Sequence, residues 1–184
     1  MTSAIFGRGL PMTEEEFLAF GETSERVELF DGSLHVTPAP TPRHQYISSE
    51  MMVALRPAAR KADLYVHEAV NVRLRQGRIP IPDLAITDAI NFDEPVIDAE
   101  SVRLVCEIVS PSNASADKVL KMHYYAAAGI PWYLLVEQET GALHLYELVG
   151  DKYRERSVTR AGEVLHLTDP VEATISPTEL LPPS

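Results

Sequence analysis

The chain has 184 residues, 45% hydrophobic and 23% charged, with 16 Lys+Arg against 27 Asp+Glu and a formal charge of −11. That length suits one domain with a sizeable core, and the single cysteine, Cys106, excludes an internal disulfide. An acidic chain repels phosphate backbones and releases few counterions, which speaks against tight nonspecific DNA binding. Arg43, Arg56, Arg60, Lys61, Arg73, Arg75 and Arg78 all fall in the first half; they read either as solvated faces and edge strands or as a local basic groove on an acidic body. The N-terminus shows no signal-peptide apolar core. The most apolar segment, YYAAAGIPWYLLV, is broken by Gly129 and Pro131 and falls short of the roughly 20 residues of a membrane span. A cytoplasmic protein without a membrane partner is the expectation.

Residues 1–12 read as a lead-in to a domain over 13–180. Thr13-x-x-Glu16 is a capping-box pattern opening a short helix, TEEEFLAF, whose acids lie in the first turn, where the helix dipole favours them. RVELF-DG-SLHV alternates around Asp-Gly, which predicts a hairpin with Val27 and Leu29 on one face and Glu28 and Phe30 on the other. After TPAPTPRHQ the period changes, and the spacing predicts a helix over 44–61, with Pro57 kinking it or ending it early. LYVHEAVNVRLR reads as one bent strand or two short ones, and RQGR as a turn. IPDLAIT and VRLVCEIV are apolar, β-branched runs that predict buried central strands, separated by an acidic surface loop over 88–101. SPSNASAD is an N-cap-rich connector, followed by a helix over 116–128 that Gly129 and Pro131 stop. WYLLV is a third buried strand. GALHLYELV and DKYRERSV form a hairpin around Gly150-Asp151, a short strand follows near 164–167, SPTELL closes in a helical turn, and LPPS frays. The order implies an α/β (α+β) domain with a mixed central sheet and helices on its faces.

Each central strand carries one carboxylate, Asp83 and Glu107. A buried carboxylate is costly unless it is paired or binds a cation. In a suitable register the two acids meet at one end of the sheet, where hard oxygen ligands suit Mg²⁺ or Mn²⁺; alternatively each sits at a strand end in water. Lys121 is four residues from Asp117. It either forms an exposed ion pair or points over the sheet edge toward Glu107, to orient a water or stabilise a phosphorane-like transition state. Glu28 either brings a third acid to the same place or faces solvent. His44, at the head of the second helix, is a candidate proton carrier or phosphate contact. The remaining histidines lack zinc-ligand spacing, and no G-x-S-x-G, P-loop or G-x-G-x-x-G is present.

Taken together, ERVELFDGSL, a His after a Pro-rich loop, IPDLAI, VCEIVSPS, the Asp117…Lys121 helix and YYAAAGIPWYLLV resemble the bacterial Uma family, labelled restriction endonucleases and placed in the PD-(D/E)-x-K nuclease superfamily. The resemblance covers nearly the whole chain; EIVSPS with AGIPWYLLV is its specific part. It implies a restriction-endonuclease-like core, often in a homodimer, and a metal-dependent endonuclease acting on DNA. It also implies metal ligation by Asp83, Glu107 and the Ile108 carbonyl, with Glu28 as the acid of the first element. The in-strand lysine position after Glu107 holds Val109; Lys121, from the following helix, matches the lysine position of the Uma family. The second reading is a nuclease-fold protein without cleavage activity, acting in regulation or through protein contacts.

Overall fold

The computed structural model describes residues 11–21, 23, 25–110 and 116–183, with the side chains of 116–118 excepted. Most of the expected lead-in and most of the SPSNASAD connector lie outside the described residues. Thr13 caps α1 (Glu14–Leu18) through the expected box: the Glu16 N–H donates to Thr13 Oγ1 (3.2 Å) and the Thr13 N–H to Glu16 Oε2 (2.9 Å). β1 (Arg26–Phe30) and β2 (Ser33–Thr37) pair antiparallel. Asp31 and Gly32 between them have φ of 50° and 88°, the left-handed pair that a tight hairpin turn requires. β5 (Arg78–Ile79) adds to the other edge of β1, which makes a small sheet in the order β2-β1-β5.

The main sheet has the order β11-β10-β9-β8-β6-β3. Its strands are β3 (Tyr65–Glu68), β6 (Leu84–Thr87), β8 (Val102–Val109), β9 (Trp132–Glu137), β10 (Leu143–Val149) and β11 (Lys152–Thr159). All its neighbours run antiparallel except β8 and β9, which are parallel and joined through α3 (Ala116–Ala127). β4 (Val72–Arg73) pairs with β7 (Ile97–Asp98), and β12 (Leu165–Leu167) with β13 (Ala173–Ile175).

The alternation expected along VRLVCEIV divides the two faces. Leu104, Cys106 and Ile108 pack with Ile47, Met51 and Leu55 of α2 (Pro42–Lys61). Val105 packs on the opposite face with Tyr125, Tyr133 and Leu135. No helix among the described residues is long and apolar enough to cross a membrane.

Three details differ from the pattern read in the sequence, and one ambiguity in it is resolved. α2 starts at Pro42 with Thr41 as its cap and runs through Pro57 to Lys61. The hydrogen bond that Pro57 cannot donate falls at Val53, which is 67% exposed, so water can take the freed carbonyl. LYVHEAVNVRLR takes the second of its two readings, two short strands, β3 and β4, separated at Ala69, whose φ is 49°. The loop over 88–101 contains β7 and a 3-10 turn (Ala99–Ser101). The short strand near 165 gains β13 as a partner, a strand absent from the sequence reading.

Candidate active site

Leu84 pairs with Cys106 in the antiparallel β6/β8 register. Continuing that register by one residue sets Asp83 opposite Glu107, and opposite residues of an antiparallel pair share a face. This is why two acids far apart in sequence converge. Glu28 arrives from β1, whose neighbour β5 leads directly into the Pro80–Asp83 segment, and the Ile81 N–H donates to Glu28 Oε1 (2.7 Å). Only 3%, 5% and 6% of the surface of Glu28, Asp83 and Glu107 reaches solvent, and all three charges are met by specific partners.

Asp83 Oδ1 accepts from Arg26 Nη1 at 2.6 Å. Its Oδ2 accepts from the Ile108 N–H at 2.7 Å and lies 3.2 Å from His44 Nε2. Burial pushes the Asp83 carboxyl up, but the His44 hydrogen bond and the Arg26 charge outweigh it and bring the group down to about 2. Glu107 Oε1 accepts from the Tyr125 hydroxyl at 2.6 Å and from Lys121 Nζ at 3.5 Å. Burial pushes Glu107 up; Lys121 opposes this and the Asp83 charge adds to it, and the net shift is upward. Lys121 Nζ also donates to Glu28 Oε1 at 2.8 Å. Burial lowers the Lys121 ammonium, but Glu107 and Glu28 more than restore it, so it stays charged.

The structure therefore brings together Asp83, Glu107, Lys121, Glu28 and His44, in or beside a cleft of about 590 Å³. Lys121 takes the inward of its two sequence readings, toward Glu28 and Glu107; the Asp117 side chain lies outside the described residues. Ile108 contributes its N–H, to Asp83. Two members were not singled out in the sequence. Arg26 lies two residues before Glu28, on the same face of β1, and Tyr125 lies four residues after Lys121, on the same face of α3. Extending the strand and helix periods outward from the two charged residues would have reached both. Of the early basic residues, Arg73 is spent on Glu14 (2.6 Å) and Asp98 (2.7 Å), and Arg75 and Arg78 on Asp31 (2.5 Å each).

The donor chemistry fits a hard divalent cation. Among the described residues no group of three or more His, Cys, Asp or Glu is placed to hold a metal ion; Mg²⁺, however, is ordinarily held by one or two carboxylates with water completing the shell. The bonds that Glu107 accepts fall on Oε1, which leaves Oε2 uncommitted among the described residues. Both oxygens of Asp83 are engaged.

A mixed sheet between helices, with acids and a lysine converging at one end, defines a nuclease-like fold. The same fold is found in a crystal structure from Anabaena variabilis ATCC 29413, described as "a putative nuclease belonging to DUF820", with a TM-score of 0.74 and 15% identity over 92% of this chain and 97% of that one. At that identity the likeness speaks for the fold alone. The profile of the Uma2 family, described as "Putative restriction endonuclease", matches residues 14–180, and the chain belongs to that family. No curated protein matches it in sequence.

Proposed function

We propose that this protein is a metal-dependent endonuclease that hydrolyses phosphodiester bonds in DNA. The observation that carries the reading is the convergence of Asp83, Glu107 and a charged Lys121 at one end of the sheet. A divalent cation, Mg²⁺ or Mn²⁺, held by Asp83 and Glu107 would acidify a bound water and polarise the phosphate. Lys121 keeps its proton, so it does not act as the base; its ammonium orients the attacking water and offsets the charge that builds on the phosphoryl oxygens. Glu28 holds Lys121 in position, and His44 orients Asp83. Asp83→Ala and Glu107→Ala are expected to reduce Mg²⁺-dependent cleavage of duplex DNA to background while circular dichroism shows a folded chain. Cleavage by both variants at the wild-type rate refutes the reading.

One observation favours the second reading, a nuclease-fold protein without cleavage activity acting in regulation or through protein contacts: Arg26 and His44 already satisfy the charge of Asp83. Calorimetric titration with Mn²⁺ separates the two. Absence of binding at millimolar metal favours the inactive protein.

A further inference from the structure

Three buried carboxylates face two fixed cations in this site. Lys121 is shared between Glu28 and Glu107, which leaves Arg26 as the cationic partner of Asp83, 2.6 Å from Oδ1. The second prong of the guanidinium donates to the Ile81 carbonyl, while Arg26 Nε is buried without an acceptor among the described residues. Arg26 is therefore held at two of its three nitrogens, and its grip on Asp83 is single rather than the two-pronged pairing that makes arginine–carboxylate contacts strong. Arg26 also lines a second cavity, of about 750 Å³, on whose wall Glu25 and Glu68 lie. The side chain thus borders open space and two acidic residues besides Asp83, which lines the same cavity.

We infer that Arg26 is an internal competitor of the divalent cation: it occupies Asp83 in the metal-free protein and must leave Oδ1 for metal to bind. This rests on the metal-dependent reading above and adds the residue that regulates loading. A guanidinium and a divalent ion a few ångströms apart repel strongly in a partly buried site, and Oδ1 is the Asp83 oxygen that the Ile108 N–H and His44 do not occupy. Swinging the guanidinium into the neighbouring cavity resolves the conflict without moving β6 or β8.

The test is Mn²⁺ binding by calorimetry to the full chain, wild type against Arg26→Gln, without nucleic acid. The expected result is binding at least about tenfold tighter in Arg26→Gln. Wild type that binds Mn²⁺ as tightly as the variant, or more tightly, overturns the inference and leaves the metal-dependent reading standing. No binding by either protein at millimolar Mn²⁺ sinks both. Because loss of a buried arginine can impair folding, a second measurement uses the wild type alone. In arginine side-chain NMR spectra, Mg²⁺ is expected to shift the Arg26 Nε–H signal and speed its exchange with water. If calorimetry shows Mg²⁺ bound while that signal stays unmoved, the inference fails.

Discussion

Asp83 and Glu107 face each other with their proton affinities driven apart, and the sign of each shift sets a pH dependence. Asp83 falls from an ordinary 3.8 to about 2 because His44 and Arg26 outweigh its burial, with the Glu107 carboxylate also nearby. Its unfolded form takes a proton first as pH drops, so its contribution is complete above about pH 4 and is lost toward pH 2. The loss is about 2 kcal/mol. Urea denaturation between pH 5 and pH 2 is expected to show that loss in the wild type and a flatter profile in Asp83→Asn. Glu107 runs the other way: its raised folded pKa means that its contribution is present below an ordinary 4.5 and is lost as pH rises through the folded value. Glu107→Gln is expected to remove that decline. Lys121→Met removes the ammonium while keeping most of the side-chain volume, and is expected to slow cleavage about 10²–10³-fold at saturating metal, while loss of a positive charge beside Glu107 tightens metal binding. A calorimetric Mn²⁺ titration run beside the cleavage assay separates the two effects. Asp83 and Glu107 stood out because a lone charge inside an apolar, β-branched run calls for an explanation. Arg26 and Tyr125 did not, because an arginine that opens a strand and a tyrosine in a helix are unexceptional until a carboxylate is found beside them.

The hairpin of β1 and β2 carries Arg26 and Glu28, so its turn controls the site at a distance. Gly32 has φ +88°, and a Cβ there would meet Pro11 Cβ at 2.5 Å. Gly32→Ala is expected to cost more than about 1 kcal/mol, measured as a lowered urea midpoint. At the head of α2, Thr41 Oγ1 accepts from the His44 N–H at 3.3 Å, so this cap sets the first turn from which His44 reaches Asp83. Thr41→Ala is expected to cost about 1 kcal/mol of stability. The Asp-Gly turn and the Thr13 cap were readable because each depends on a few neighbouring residues; the Thr41 cap was missed because the helix was expected to start only at residue 44. Pro57 does not end α2 early, because its unmade bond falls on an exposed turn where water substitutes.

α2 and α3 press the main sheet from opposite sides, and the acids lie at the strand ends between His44 of α2 and Lys121 of α3. The homodimer that the resemblance implies would suit the proposed endonuclease if it acts on both strands; light scattering is then expected to give twice the chain mass of 20.4 kDa. A mass of 20.4 kDa at micromolar concentration removes that expectation without touching the site.

Local signals in the chain were sufficient for the helices, the two hairpins, the buried central strands and the two strand-borne acids, since periodicity, caps and turn residues act over a few positions. Strand partners were not readable, because pairing is settled by which surfaces exclude water together. β7 and β13 are too short to show a period of their own and exist through their neighbours. Whether Lys121 faced solvent or the acids, and that Arg26 would sit on Asp83, depended on the register of β6 against β8 and on the seating of α3 across the sheet. Those are long-range packing outcomes, and no spacing within one segment encodes them.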